Sequence, residues 1–142
     1  MSGTGKQAGF SLLEMLVVLA IVSVASMAAA QLFAPRPEAA MVRAARDTLA
    51  ADLRRQRLAA LSTGRMHGIT LYEEGNGYRL LPQGSGIRLP EAMRLSSQGN
   101  PGVMFNPDGS SSGGHLRLRV GGVALSLTVE PLLGRITQAE RS

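Results

Sequence analysis

A single acidic side chain lies inside the first apolar segment of this chain. The segment covers residues 10–34, and Glu14 is its fifth residue. A carboxylate at the centre of a membrane helix costs about 2.5–3.5 kcal/mol on insertion scales, so an acid kept in such a segment indicates a use for its charge. The chemistry open to Glu14 is ion pairing, because a buried carboxylate is tolerated when a cation pairs with it.

No other set of residues forms a catalytic or metal-binding pattern in the sequence. Cysteine is absent, which excludes disulfides and thiolate metal sites, and the two histidines, His67 and His115, fall in separate predicted strands. Serines are frequent, but no G-x-S-x-G motif accompanies a base. The glycine- and serine-rich stretch 105–114 lacks GK[ST] and precedes a strand, so we interpret it as a connection rather than a phosphate loop. We expect no enzyme activity, no cofactor and no metal ion.

The charge composition leaves a binding function open. The chain has 15 Lys and Arg against 10 Asp and Glu, a net charge of +5, and Lys6 is its only lysine. Arginine binds carboxylate and phosphate groups in a bidentate way, whereas three Phe, two Tyr and no Trp make a base-stacking platform unexpected. The alternative is that the arginines form solvated faces. The candidate contacts for an anion or a partner are Arg117, Arg119, Arg135 and Arg141.

The elements that position these residues begin with the apolar segment. A helix of about 25 residues spans about 37 Å, which is enough to cross a bilayer. An ordinary signal peptide is the alternative, with Ala28, Ala29 and Ala30 as a small-residue cleavage site. The segment exceeds the usual apolar core of about 7–15 residues, and an ordinary signal has no use for Glu14. We therefore favour a membrane helix.

A second helix is predicted after a break at Pro35 and Pro37. Residues 38–62 contain no Gly or Pro and are rich in Ala, Leu and Arg. We interpret this segment as an amphipathic helix on a sheet, and a basic DNA-contacting helix is the alternative. Its predicted apolar face consists of Val42, Ala45, Leu49, Leu53 and Ala60, with Gln56 as the polar exception.

From Met66 onward the apolar period changes to two, which predicts an antiparallel β region over about 66–138. The turn at residues 74–77 (EGNG) predicts a hairpin. The fold class is therefore α+β, with two helical segments before the strands. Strands are predicted at 67–72, 78–81, 116–120 and 123–130, with a short final strand at 135–137. Shorter apolar pieces lie at 87–89, 93–95 and 103–105.

The start of the chain, KQAG followed by FSLLEMLVVLA, resembles the signal of type IV pilins and type II secretion pseudopilins. The resemblance implies a pilin-like fold in which a long broken helix packs on an antiparallel β-sheet domain. It also implies a leader at 1–9, a membrane and assembly helix at 10–34, and a periplasmic domain at 35–142. Prepilin peptidase would cut between Gly9 and Phe10 and methylate Phe10. Glu14 would neutralise the methylated amine of a neighbouring subunit.

The carboxy-terminal half, with F-x-P-D-G-S-S-S-G-G, L-R-L-R and L-G-R-I, resembles the minor pseudopilin H family of type II secretion systems. This implies a place near the tip of the periplasmic pseudopilus and a role in protein export across the outer membrane. The implied partners are other major and minor pseudopilins, and secreted proteins. The alternative is a minor pilin of a type IV pilus, which primes fibre assembly or binds DNA for uptake.

Two features of the sequence bear on these alternatives. Related DNA-binding minor pilins carry a G-R-x-R pattern near the end, and here Thr137 stands at the second basic position, so we do not expect nucleic acid as the partner. Lys6 precedes the span while Arg36, Arg43 and Arg46 follow it, and a positive-inside count alone favours the reverse orientation. The resemblance implies a single-pass inner-membrane protein with its carboxy-terminal domain in the periplasm, and we adopt that orientation.

Overall fold

The structure, a computed structural model, describes residues 11–32 and 37–140 and divides the chain into units 1–35 and 36–142. The first unit contains helix α1 (Leu12–Leu32). Its 21 residues include no Gly or Pro and correspond to about 32 Å, so the helix is long and apolar enough to cross a membrane. The serine hydroxyls within it bond back to the helix: Ser23 Oγ donates to the Leu19 oxygen and Ser26 Oγ to the Val22 oxygen, both at 2.7 Å. These bonds satisfy polar groups that lipid could not.

The second unit begins with helix α2 (Pro37–Thr63). Proline suits the first helical position, and Glu38 in the first turn suits the positive end of the helix dipole. The helix ends at Gly64, whose N–H donates to the Ala60 oxygen at 3.1 Å and whose φ of 64° is accessible to glycine without strain. The helix is one residue longer at each end than the predicted 38–62.

Within residues 37–140, eight strands follow α2 and form two four-stranded antiparallel sheets. Sheet A has the order β3-β2-β1-β5, and sheet B has the order β4-β6-β7-β8. The strands are β1 (His67–Leu71), β2 (Gly77–Leu81), β3 (Gly86–Arg88), β4 (Met93–Gln98), β5 (Gly102–Phe105), β6 (Gly114–Val120), β7 (Val123–Val129) and β8 (Ile136–Glu140). The two helices and the antiparallel strands confirm the α+β class, whereas the division into two sheets was not predicted.

The hydrophobic core of the second unit lies between α2 and both sheets. Helix α2 contacts β1 and β5 of sheet A and β6, β7 and β8 of sheet B. The buried apolar side chains of α2 are Val42, Leu49, Ala50, Leu53 and Ala60. Those of sheet A are Ile69, Tyr78, Val103 and Phe105, and those of sheet B are Met93, Leu95, Leu116, Leu118, Val120, Leu125, Leu127 and Val129. Of the predicted apolar face of α2, Ala45 is only partly buried, and Gln56 is buried as the polar exception.

Phe105 provides a test of this core, because its side chain is fully buried at the end of β5. We expect Phe105→Ala to lower the free energy of unfolding by about 3–5 kcal/mol, the usual cost of truncating a buried phenylalanine. The measurement is urea unfolding of the full chain in a non-ionic detergent, followed by near-ultraviolet circular dichroism. Leu132→Ala is the control, since Leu132 is 86% exposed and its truncation should change stability by less than about 0.5 kcal/mol. Equal effects of the two changes would contradict this core.

Candidate assembly and partner-binding sites

Glu14 lies in the first turn of α1, where Ser11 caps the helix. The N–H of Glu14 donates to Ser11 Oγ at 3.2 Å, and the N–H of Met15 donates to the Ser11 oxygen at 3.2 Å. Ser11 is therefore the N-cap and Glu14 the third helical residue, which is the S-x-x-E spacing of a capping box. The sequence contained this signal, but the cap was not predicted from it.

The carboxylate of Glu14 is exposed and has no cationic partner among the residues that the structure describes. The positive end of the α1 dipole stabilises it locally. Around it, every apolar side chain described in α1 is exposed, so a neighbouring helix packed there would bury the carboxylate with it. Gly9 and Phe10, the predicted cleavage and methylation residues, lie outside the described residues.

A buried polar cluster joins α2 to sheet A. Asp52 is 6% exposed, and its Oδ2 accepts a 2.7 Å hydrogen bond from the Tyr78 hydroxyl of β2. Arg55 Nη1 lies 3.2 Å from Asp52 Oδ1, one turn along the helix. Burial and the hydrogen bond to Asp52 raise the pKa of the Tyr78 hydroxyl well above its usual value of 10.0. The periodicity of α2 did not predict this cluster, because the sequence alone indicates an exposed position for an acidic residue such as Asp52. Its burial depends on the contact with β2.

The four arginines proposed as contacts do not form one site. Arg117 and Arg119 lie on the exposed face of β6, and the β4–β6 pairing places Arg94 directly opposite Arg119. Arg94 was missed because nothing in its local sequence shows which strand pairs with β4. Arg135 lies elsewhere, immediately before β8, and Arg141 is outside the described residues.

Arg135 borders a depression of about 330 Å³ between α2 and the β7–β8 turn. Its Nε lies 3.6 Å from Glu130 Oε2, and both side chains are well exposed, so this ion pair contributes little to stability. Arg57 Nε donates to the Gly109 oxygen at 3.2 Å and attaches the 106–110 turn to α2. The depression is lined by Arg54, Arg57, Leu58, Gly134, Arg135 and Ile136.

The histidines are not brought together. His67 is in sheet A, where its Nε2 lies 2.9 Å from Thr63 Oγ1, and His115 is in sheet B, where its Nδ1 lies 3.0 Å from Thr128 Oγ1. Within residues 11–32 and 37–140, no group of His, Asp or Glu is arranged to hold a metal ion. Asp108 instead closes a turn, accepting hydrogen bonds from the Ser110 N–H and hydroxyl at 2.9 and 2.6 Å, which lower its pKa.

Comparison with known proteins gives one match at the start of the chain and one over most of its length. The prokaryotic N-terminal methylation motif matches residues 4–30. Type II secretion system protein H of Xanthomonas campestris pv. campestris is 30% identical over 120 residues, which cover 79% of this chain and 71% of that protein.

Solved structures with a similar fold come from two filament systems. The minor pseudopilin EpsH from the type 2 secretion system of Vibrio cholerae has a TM-score of 0.56 at 11% identity, over 70% of this chain and 96% of that one. The Pseudomonas aeruginosa type IV minor pilin FimU has a TM-score of 0.55 at 19% identity, over 69% and 87%. The methylation motif on an apolar helix, together with this shared α+β fold, defines a pilin-like protein. Within that class, the chain belongs to the type II secretion system protein H family, as its identity to the Xanthomonas protein shows.

The Tyr78–Asp52 contact makes stability depend on pH in the alkaline range. Because the folded-state pKa of Tyr78 lies above the unfolded value near 10, its contribution is complete below pH 10 and is lost as the pH rises further. We expect the free energy of unfolding to fall by up to about 1.4 kcal/mol per pH unit above pH 10. The measurement is urea unfolding at pH 9.5, 10.5 and 11.5. Tyr78→Phe should remove this component of the slope, and an identical slope in the variant would contradict the assignment.

Proposed function

We propose that this protein is a minor pseudopilin that supports protein export across the outer membrane. Its membership of the protein H family carries the proposal, and the methylation motif over residues 4–30 supports it. In this role the chain is a structural subunit. Other major and minor pseudopilins are its partners, and its place is near the tip of the periplasmic pseudopilus.

The proposed maturation uses the amino-terminal residues. Prepilin peptidase removes residues 1–9 by cleaving between Gly9 and Phe10, and Phe10 becomes the methylated terminus. Residues 10–34 then hold the protein in the inner membrane, and residues 35–142 form the periplasmic domain. The length and apolar surface of α1 support the membrane segment.

Glu14 is proposed as the residue that sets the register of assembly. Its carboxylate is exposed on an apolar helix, and the methylated amine of a neighbouring subunit is the cation that pairs with it when the helices pack. An unpaired charge buried among apolar helices would oppose assembly, whereas a paired one permits it at one axial offset.

A minor pilin of a type IV pilus remains the second candidate, because FimU and EpsH resemble the chain equally well in fold. That candidate would prime fibre assembly or bind DNA for uptake. The two functions can be distinguished in cells, because a secretion filament supports protein secretion whereas a pilus supports motility or DNA uptake.

Deletion of the gene separates them. We expect secreted hydrolases to accumulate in the periplasm of the deletion strain, while pilus-dependent motility and DNA uptake stay normal. Hydrolase activity is measured in periplasmic and culture fractions, and a plasmid copy of the gene is the control. Normal secretion with lost motility or uptake would contradict the secretion role and favour the pilus.

Substitutions at Glu14 test the ion pair separately from the helix cap. Glu14→Gln keeps a residue that fits the capping box and removes the charge, while Ser11→Ala removes the cap hydroxyl and keeps the charge. We expect Glu14→Gln and Glu14→Ala to lower co-purification with the other pseudopilins at least about tenfold, because leaving a buried charge unpaired costs about 3–5 kcal/mol. Ser11→Ala should have a smaller effect.

All three variants should still fractionate with the membrane, which is measured by immunoblot of the membrane and filament fractions. Normal co-purification of Glu14→Gln would contradict the charge role and leave Glu14 as a capping residue.

A further inference from the structure

The outward face of sheet B is a cationic, polar surface that the proposed function leaves without a role. The strand registers place its residues in three rows that run across the sheet. The first row is Arg94, Arg119 and Ala124; the second is Ser96, Arg117, Ser126 and Ala139; and the third is Gln98, His115, Thr128 and Thr137. All of these residues are exposed or half-buried, whereas the alternate residues of β4, β6 and β7 face the core. We call this surface the arginine face.

The three arginines at one corner of the arginine face form no ion pair among those described. Arg94 lies directly opposite Arg119, an arrangement that repels across strands, and Arg117 is two residues along β6, about 7 Å away. Arg94 Nη1 donates only to the main-chain oxygens of Glu91 and Met93, and Arg119 Nε donates to the Gly121 oxygen. Glu38 lies against Gly121, but the described ion pairs include none between it and Arg119. The face itself carries no Asp or Glu.

Two shallow depressions run side by side across this face. One, of about 530 Å³, is bordered by Arg94, Arg117 and Arg119, and the other, of about 510 Å³, by Gln98, His115 and Thr128. They share Ser96 and Arg117, so together they form one continuous track from a cationic end to a neutral end rich in hydroxyl groups. Such a track can bind carboxylates at one end and donate or accept main-chain hydrogen bonds at the other.

We propose that the arginine face is a docking surface for an acidic segment of a secreted protein in transit. This rests on the proposed function in protein export. Permanent subunit interfaces are rich in apolar residues, whereas this face has no large apolar side chain, so it suits a transient partner rather than a filament neighbour. It has no Phe, Tyr or Trp for base stacking, and its charge is confined to one corner rather than spread along a stripe, so a polypeptide fits better than nucleic acid.

The binding test uses the full chain in a non-ionic detergent and a fluorescein-labelled peptide of eight glutamates. A peptide of eight glutamines and a duplex DNA of similar length are the comparison probes. We expect the glutamate peptide alone to bind at low salt, and the combined Arg94→Gln, Arg117→Gln and Arg119→Gln variant to weaken it at least about tenfold. The matched control changes Arg54, Arg65 and Arg88 to Gln, an equal loss of charge at exposed positions off the face, and should weaken binding less than about threefold.

A second variant keeps all three arginines in the sequence. Ser126 lies beside Arg117 in the register and has no side-chain bond among those described, so Ser126→Glu places a carboxylate within the face. We expect Ser126→Glu to weaken peptide binding as the triple change does, and Ser126→Gln to bind normally. Three outcomes would each overturn the proposal. The first is an equal loss of peptide binding in the arginine-face triple variant and the control triple variant. The others are no binding of the glutamate peptide and tighter binding of DNA through the same arginines.

The same variants in cells distinguish cargo from a filament neighbour. We expect Ser126→Glu to co-purify normally with the other pseudopilins while hydrolases accumulate in the periplasm, and Ser126→Gln to secrete normally. Lost co-purification would overturn the cargo assignment in favour of a subunit contact. Failure of this proposal can be distinguished from failure of the proposed function. A deletion strain that secretes normally would contradict the proposed function, whether or not the glutamate peptide binds to the arginine face.

Discussion

The buried face of α2 is the constraint on which the second unit depends. Sheets A and B have no ladder in common among the described strands, and each lays its apolar side against the helix. Leu49 and Leu53 are fully buried there, and without the helix each sheet would have one uncovered apolar face. Arg57 and Asp52 extend the same attachment with polar bonds, one to the 106–110 turn and one to Tyr78.

Local pattern was sufficient to identify most elements of this fold. The absence of Gly and Pro predicted α2 to within one residue at each end, and the change to a period of two predicted β1, β2, β6 and β7 near their observed positions. The segments of β3, β4 and β5 stood out only as short apolar pieces. Partners were not predictable in this way, because alternation shows which side of a strand is apolar and not what lies beside it. The chain places β4 in sheet B before β5 returns to sheet A, and no local signal marks that exchange.

The same physical limit applies to the candidate sites. Glu14 could be identified from one acid in an apolar run, since its cost is a local property. The arginine face could not, because Arg94 and Arg119 are separated by 25 positions and meet only through the β4–β6 register. Asp52 likewise becomes a buried acid only when Tyr78 covers it. Sequence reasoning therefore proposed a role for Glu14, where a single segment carries the signal, and missed residues whose environment is created by distant pairing.

The alternation of strands between the sheets has a consequence for the timing of folding. Sheet A is complete at Phe105, but sheet B, which begins at Met93, needs strands that end at Glu140. The apolar side of α2 therefore stays partly uncovered during folding until the last strands of sheet B are present. The core of the second unit is therefore completed only by residues near the end of β8, and the apolar surface left uncovered before that is open to aggregation.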